Sequence, residues 1–197
     1  LILSVIVGIA IILGLYNPTH SYGLYFLETF PVIIGVIILA LTYKKFKFTN
    51  LVYVLIAIHS IILIWGGHYS YAENPLFNWI REYFDLSRNY YDRLGHLFQG
   101  FVPALIIREF LLKKSKLERG KLLFFIIISI VLATSAVYEF IEWGMAVTIT
   151  PETGNAFLGT QGDIWDTQWD MFMALIGSLL SLLFLSKLHD RQLKEIR

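Results

Sequence analysis

The stretch GTQGDIWDTQWDMFMALIGSLLSLLFL, residues 159–185, places three aspartates in front of a long apolar run. From residue 165 onward the segment is long and apolar enough to cross the roughly 30 Å hydrocarbon core of a bilayer as one helix. Asp163 can cap the start of that helix and interact favourably with its dipole. Asp170 lies about 10 Å further along the axis. A carboxylate inside the membrane boundary is costly and indicates a functional site.

The rest of the chain has the same apolar character. Of its 197 residues 56% are apolar and 16% charged, above the roughly 45–50% apolar usage of soluble domains. We predict six transmembrane helices, at residues 1–16, 22–43, 51–66, 96–112, 122–147 and 165–188. We therefore expect an all-α polytopic membrane protein in which residues 1–197 form a single domain, one bundle of helices. A signal peptide is the alternative reading of the first segment, but no small-residue cleavage site follows it. The absence of cysteine excludes disulfide and thiolate chemistry.

The basic residues are distributed unequally between the predicted loops. Thirteen of the sixteen Lys and Arg fall in the second loop, the fourth loop and the C-terminal tail. By the positive-inside rule this side is cytoplasmic, so both termini are predicted there. Eleven of the fifteen acidic residues fall on the other side or within its leaflet. The long loop 67–95 lies on that outer side, and its segment NPLFNWIREYFDL is typical of an amphipathic interfacial helix that could act as a lid.

The ends of three predicted helices carry the candidate chemistry. Asp92 and His96 lie four residues apart at the start of the fourth helix, and Glu139 and Glu142 lie three apart near the end of the fifth. Residues at such spacings share one face of a helix. The spacings of three and four residues likewise place Asp163, Asp166 and Asp170 on one face of the last helix. The metal ligands that we predict are Asp92, His96, Glu139, Glu142, Asp163, Asp166 and Asp170.

So many carboxylates in one place need a compensating cation, because their repulsion would otherwise force several to bind protons. Mg²⁺, Mn²⁺ or Ca²⁺ suits a site dominated by carboxylates, and His96 makes Zn²⁺ or iron possible. Two ions sharing the acids would fit the number of ligands. No segment has a recognised metal-ligand spacing such as HExxH, so the prediction depends on the clustering alone.

Each candidate residue is given a role. The ion would polarise a phosphoryl oxygen or activate water, with Glu139 or Glu142 as base. The catalytic group that we predict is Glu139, Glu142, His96 and Asp166. The substrate-binding group is Arg88, Arg93, His68 and Tyr71, in which the arginines would hold a phosphate.

Alternative structural roles exist for several of these residues. Arg81, Arg88 and Arg93 could instead pair with the acids in a salt-bridge network. His59 lies in the middle of a span, where a lone histidine is more often satisfied by a neighbouring helix than catalytic. The tryptophans at the outer boundary are interpreted as interfacial anchors. The small residues Gly100, Gly177 and Ser178 are expected to let helices pack closely.

Long motifs make the chain similar to one known family. The motifs are GGHYSYAENP (66–75), LSRNYYDRLGHLFQGFVPALIIRE (86–109), AVYEFIEW (136–143), FLGTQGDIWDTQWDMFMALIG (157–177) and HDRQL (189–193). On these motifs the chain resembles the YjdF family of bacterial inner-membrane proteins. The resemblance implies a six-helix, multi-pass protein of the bacterial inner (plasma) membrane. It implies no biochemical function and no catalytic residues.

Three classes of function remain open. The first is a metal-dependent hydrolase or transferase acting on a lipid or isoprenoid phosphate at the outer leaflet. The second is a cation- or proton-coupled small-solute transporter, which needs polar groups in both halves of the membrane. The third is a non-catalytic membrane scaffold, in which the acids would tolerate single substitutions. The expected partners are the lipid bilayer and a lipid headgroup or small-molecule ligand, and no nucleic acid is expected.

Overall fold

A computed structural model describes residues 2–148, 154 and 157–195 and is helical throughout the elements it defines. Its α-helices are α1 (Ile2–Leu15), α2 (Tyr22–Thr42), α3 (Asn50–Tyr69), α4 (Pro75–Tyr83), α5 (Tyr91–Lys114), α6 (Lys121–Ala146) and α7 (Asp166–Glu195), with a 3₁₀ turn at Tyr71–Glu73. The described residues contain no β-strand. The prediction of an all-α membrane protein is confirmed.

Four helices in the described part of the chain are long and apolar enough to cross a membrane, namely α2, α3, α6 and α7. Helix α1 is apolar but has only 14 residues. Helix α5 has 24 residues, enough for about 36 Å, but carries charged side chains toward both ends. Four of the six predicted spans thus coincide with candidate membrane-spanning helices, and the full set of six stays a prediction.

Helix α5 can carry charges because it packs against protein on several sides. It contacts α3, α6 and α7, and its Asp92, Arg93, Arg108 and Glu109 are all buried. A helix surrounded by other helices need not be apolar all round. The main core lies between these four helices; its buried members are Val52, Leu55, Val102, Ala104, Leu105, Leu123, Ile127, Val131, Ala174 and Leu182.

Helices α1 and α2 pack on α3. A smaller apolar cluster joins the three helices and consists of Val7, Val32, Ala57 and Ile64. Their remaining surfaces are strongly apolar and exposed, as in Ile12, Leu13 and Leu41. Exposed apolar faces of this extent are expected on helices that contact lipid. All five tryptophans are also exposed, which fits their interpretation as interfacial anchors.

Glycines set the close approach of α5 and α7. A Cβ at Gly100 would overlap the backbone of Ala174, and a Cβ at Gly177 would overlap the backbone of Leu97 and Phe101. Ser178 beside them is fully buried. The prediction that small residues allow close helix packing is confirmed here. The contact also positions predicted site residues, because Asp92 and His96 lie near the start of α5 and Asp166 and Asp170 near the start of α7.

Helix α4 is the amphipathic segment that the sequence predicts in the outer loop. It begins with Pro75 at its first position, and the Asn74 side chain accepts a hydrogen bond from the Phe77 N–H at 3.4 Å. Trp79 and Tyr83 on this helix are exposed. The helix buries no residue, as expected for one that lies along an interface.

Candidate functional site

The predicted site residues come together at one end of the bundle. The starts of α5 and α7 meet at this end, where Arg93 contacts Asp170, and their other ends meet where Arg108 contacts Asp190. The end of α6 joins the first group through Glu139, which lies beside His96. The seven predicted ligands divide into a group paired with arginine and a group around His96.

One correction concerns the start of α7. The sequence predicts Asp163, Asp166 and Asp170 on one helical stripe, but α7 begins at Asp166. Positive φ angles at Gly159, Gln161 and Gly162 form a turn before it. Asp163 therefore precedes the helix, and its Oδ1 accepts a hydrogen bond from the Trp165 N–H at 2.9 Å.

Two buried arginines occupy the aspartate group. Arg93 contacts Asp170, and its Nη2 lies 2.6 Å from Asp166 Oδ1 and 3.2 Å from Asp163 Oδ2. Arg88 Nη1 lies 2.7 Å from Asp166 Oδ1, and its Nη2 donates to the Gly159 carbonyl at 3.1 Å. These contacts match the alternative interpretation, a salt-bridge network. Arg81 does not join it, since its ion pair is with the neighbouring, exposed Glu82.

His96 faces two carboxylates, Asp92 and the Arg93-paired Asp170, without hydrogen-bonding to them. Its Nε2 lies 3.6 Å from Asp92 Oδ1 and 3.7 Å from Asp170 Oδ1, beyond the usual hydrogen-bond range. Ligand atoms in a tetrahedral site with 2.0–2.2 Å metal–ligand bonds lie about 3.3–3.6 Å apart. The two distances from Nε2 are close to this range, and ligand atoms of the three residues all lie within 4.8 Å of one another.

The other ring nitrogen of His96 is already held. Its Nδ1 lies 2.8 Å from Gln99 Oε1. With the amide in this orientation the oxygen only accepts, so Nδ1 carries a proton, and Nε2, which faces the two aspartates, is the nitrogen that can bind a metal once it is deprotonated. Metal-bound histidines usually have such a partner on the second nitrogen. Asp92 Oδ2 is buried and has no hydrogen-bond partner among the described residues.

Three more acids, Glu28, Glu139 and Glu142, lie around His96. Glu139 Oε1 is 3.8 Å from Nδ1, and His96, Glu139 and Glu142 together offer atoms within 4.8 Å of one another. Glu28 on α2 is 2% exposed and lies close enough to Asp92 and Glu142 for their charges to interact. Neither of its carboxylate oxygens makes a hydrogen bond of standard geometry to a described residue, although the Tyr71 backbone lies beside it.

Aromatic rings bring α2 to this site. The Tyr138 ring lies 6.1 Å from that of His96 and is stacked on Phe30 of α2 at 6.0 Å. Tyr71 lies between α3 and α5, with its ring against Gly66 and Gly95. The structure thus places the half-buried Tyr71 side chain in helix packing beside the site.

His68, predicted to bind substrate, is held elsewhere. Its Nδ1 lies 2.9 Å from the Gly14 carbonyl oxygen and so links α3 to α1. His59 is half-buried, and its buried Nε2 has no hydrogen-bond partner in the described part of the chain. Its ring lies 6.4 Å from that of Phe98.

The acids of the site greatly outnumber its arginines. They are Glu28, Asp92, Glu139, Glu142, Asp163, Asp166 and Asp170, against Arg88 and Arg93. Two like charges about 4–5 Å apart repel by roughly 3–4 kcal/mol at an effective dielectric constant of 20. The ionised cluster therefore needs cations or bound protons besides its two arginines.

A second buried ionic cluster lies at the opposite end of α5 and α7. Glu109 is 0% exposed. It accepts hydrogen bonds from Lys113 Nζ at 2.6 Å and from the Thr49 N–H and hydroxyl at 2.9 and 2.8 Å. His189 Nε2 lies 2.9 Å from Glu109, and its Nδ1 lies 3.1 Å from Arg108 Nη1. Because a guanidinium only donates, Nδ1 accepts and Nε2 donates to Glu109.

This cluster was not predicted from the sequence, in which Arg108, Glu109 and His189 received no functional role. The adjacent pair of charges inside the apolar run ALIIREFLL was the available signal. Since Glu109 and both nitrogens of His189 have partners, the cluster acts as a structural tie between α5, α7 and the start of α3.

A groove borders the arginine-paired aspartates. It has a volume of about 520 Å³ and is lined by Phe77, Tyr90, Arg93, Leu94, Leu97, Asp163, Trp169 and Met173. Six of these eight side chains are apolar or aromatic, and the two charged ones belong to the salt-bridge network. An apolar groove with charge at one side suits a ligand with a hydrocarbon part and a polar head.

These features define a helical integral membrane protein with charged groups buried at both ends of its central helix pair. Residues 1–191 match the family described as "Predicted membrane protein (DUF2238)", and the chain belongs to that family. It is 46% identical over 175 residues to the inner membrane protein YjdF of Escherichia coli (strain K12), which covers 89% of this chain and 83% of that protein. The predicted resemblance is confirmed. No solved structure matches the chain.

Proposed function

We propose that this protein is a membrane-embedded, metal-dependent hydrolase or transferase that acts on the phosphate headgroup of a lipid or isoprenoid. The observation that carries the proposal is the cluster of His96, Asp92 and Asp170, in which Nε2 lies 3.6 and 3.7 Å from the two aspartate oxygens, close to the spacing of ligands to one ion. Zn²⁺ or Mn²⁺ suits this mixed imidazole and carboxylate set. Gln99 behind the ring would fix its orientation.

The proposed topology has six spans, with both termini in the cytoplasm and the site on the extracytoplasmic side. The positive-inside rule supports it, because thirteen of the sixteen basic residues lie in the segments assigned to the cytoplasm. The length of α5 and its burial between other helices support its role as a span in spite of its charges. The E. coli relative is an inner membrane protein, and the same location is proposed here.

The groove supports an amphiphilic substrate. A hydrocarbon chain would lie against Leu94, Leu97 and Trp169, which places its headgroup beside the charged cluster. Because Arg88 and Arg93 are both engaged by aspartates, the ion rather than a guanidinium would take the phosphate. The bound ion would act as a Lewis acid or lower the pKa of a water. Glu142 is partly exposed and would serve as the general base when this ion alone is bound, whereas Asp166 holds the arginines.

A transporter is the less favoured alternative because the two charged clusters are separated by close packing. Gly100 and Gly177 bring the backbones of α5 and α7 into contact between the clusters. Val102, Ala104 and Leu105 continue this packing toward the far end of α5. A solute crossing the membrane along this helix pair would have to separate the two helices.

The test is elemental analysis of detergent-purified protein, followed by turnover of polyprenyl and diacylglycerol phosphates. The wild type is compared with His96→Gln, Asp92→Asn and the control Glu82→Gln, an exposed carboxylate of the same loop side. We expect stoichiometric metal and phosphate release in the wild type and the control, with both lost in the two folded site variants. A wild type without metal after incubation with Zn²⁺, Mn²⁺, Mg²⁺ or Ca²⁺ would refute the metal-dependent mechanism.

A further inference from the structure

One ion between Asp92, His96 and Asp170 leaves Glu139 on the other edge of the imidazole ring, with Glu142 and Glu28 near by. Nε2 faces the two aspartates, whereas Glu139 lies 3.8 Å from Nδ1. An ion bound at Nε2 is therefore separated by the ring from the Glu139 side. A single ion cannot neutralise both sets of carboxylates.

Glu28, which belongs with Glu139 and Glu142 in this second set of acids, is buried without a hydrogen-bond donor among the described residues. It is 2% exposed, and both of its oxygens are without hydrogen bonds of standard geometry among the described residues. Its neighbours Asp92 and Glu142 are also acidic. Glu139 is likewise buried, and its Oε1 has no partner in the described part of the chain. Buried polar groups are normally hydrogen-bonded, so orphaned carboxylate oxygens that face other acids point to an ion or to ion-bound water.

We propose that Glu139 and Glu142 bind a second, hard divalent cation of the Mg²⁺ type, and that Glu28 accepts hydrogen bonds from its bound waters. This inference rests on the proposed function, since it adds an ion to the same site. Mg²⁺ is commonly held by one or two carboxylates and keeps several waters. Those waters supply the donors that the two Glu28 oxygens lack.

The second ion would connect two parts of the bundle. Glu28 comes from α2 and the two direct ligands from α6, and the Phe30–Tyr138 stack already joins these helices. Two divalent ions would also bring the charge of the cluster close to balance, because its seven carboxylates face two arginines. In two-metal enzymes the pair of ions stabilises the attacking and leaving oxygens of a phosphoryl group.

The second site can be tested by its stoichiometry and by its metal preference. Purified protein is loaded with Zn²⁺, desalted and titrated with Mg²⁺ or Mn²⁺ by isothermal calorimetry, with metal content measured in parallel. The variants are Glu28→Gln and Glu142→Gln, and Glu82→Gln is the matched control. We expect two ions per chain in the wild type and the control. Glu28→Gln should keep the Zn²⁺ and weaken the second ion about 10- to 100-fold, the usual effect of losing a group that supports a metal ligand.

Thermal stability gives an independent readout that separates misfolding from loss of the ion. Gln removes a negative charge from a group of mutually repelling acids, so ion-free Glu28→Gln should melt at or above the temperature of the ion-free wild type. Its melting temperature should rise less on adding Mg²⁺. One ion per chain with no effect of Glu28→Gln would overturn the second site and leave the first. No bound ion at all would overturn the proposed function as well.

Discussion

The close contact of α5 and α7 makes Gly177→Ala an informative substitution. A Cβ at this position would collide with the Leu97 carbonyl oxygen and lie 2.9 Å from the Phe101 nitrogen, whereas ordinary contacts begin near 3.4 Å. Both obstacles are backbone atoms, so the helices themselves must move apart. Overpacking of this kind costs about 1–3 kcal/mol or more, which exceeds the roughly 1 kcal/mol that alanine gains over glycine in a helix.

Two measurements check this prediction. Thermal unfolding in detergent, followed by tryptophan fluorescence, should show Gly177→Ala less stable than the wild type. Metal affinity should also fall, because Asp92 and His96 on α5 would shift relative to Asp170 on α7. Gly35→Ala is the control, since no atom lies within 4 Å of its added Cβ, and it should be neutral or slightly stabilising. Equal unfolding temperatures for Gly177→Ala and Gly35→Ala would refute the close packing of α5 and α7 that positions the site.

Three further substitutions test other contacts. Arg93→Gln leaves buried carboxylates without their partner and should destabilise the protein by about 3–5 kcal/mol; adding Asp170→Asn should recover part of this loss in the same unfolding assay. Asn89→Ala removes hydrogen bonds of 2.9 Å that tie α4 to the start of α5, so proteolysis within residues 74–90 should accelerate, and unchanged cleavage would contradict the tie. His189→Gln can still accept from a guanidinium and donate to a carboxylate, so it should unfold near the wild-type temperature, whereas His189→Leu should lose about 1–3 kcal/mol. Equal stability of those two variants would argue against the assigned tautomer.

Most of the fold follows from apolar runs that the sequence displays directly. Helices α2, α3, α6 and α7 lie where long apolar segments predict them, because lipid-facing helices must be apolar on their exposed surface. The apolar segment of α5 was predicted from residue 96, whereas the helix begins at Tyr91, in agreement with the prediction that Asp92 lies at its start. Hydropathy marks the later position because Asp92 and Arg93 face α7 and other protein groups rather than lipid.

The sequence predicted which residues form the candidate site, but it did not predict which of them contact each other. Helical spacing identified Asp92 with His96 and Glu139 with Glu142, since these pairs are local in sequence. The contacts of Arg93 with Asp166 and Asp170 span more than 70 residues, and no local pattern encodes them. The same holds for Glu109 and His189, which are 80 residues apart. Close packing of α5 and α7 creates both sets of contacts.

The most direct test of the account is whether the His96 imidazole binds a metal ion. Protein loaded with Mn²⁺ is measured by pulsed electron paramagnetic resonance, in which a coordinated ring nitrogen modulates the echo of the ion. The account predicts stoichiometric Mn²⁺ with a nitrogen signal in the wild type and its loss in folded His96→Gln, while Glu82→Gln keeps it. Bound Mn²⁺ without a nitrogen signal, or no bound Mn²⁺, would contradict the metal centre at Asp92, His96 and Asp170.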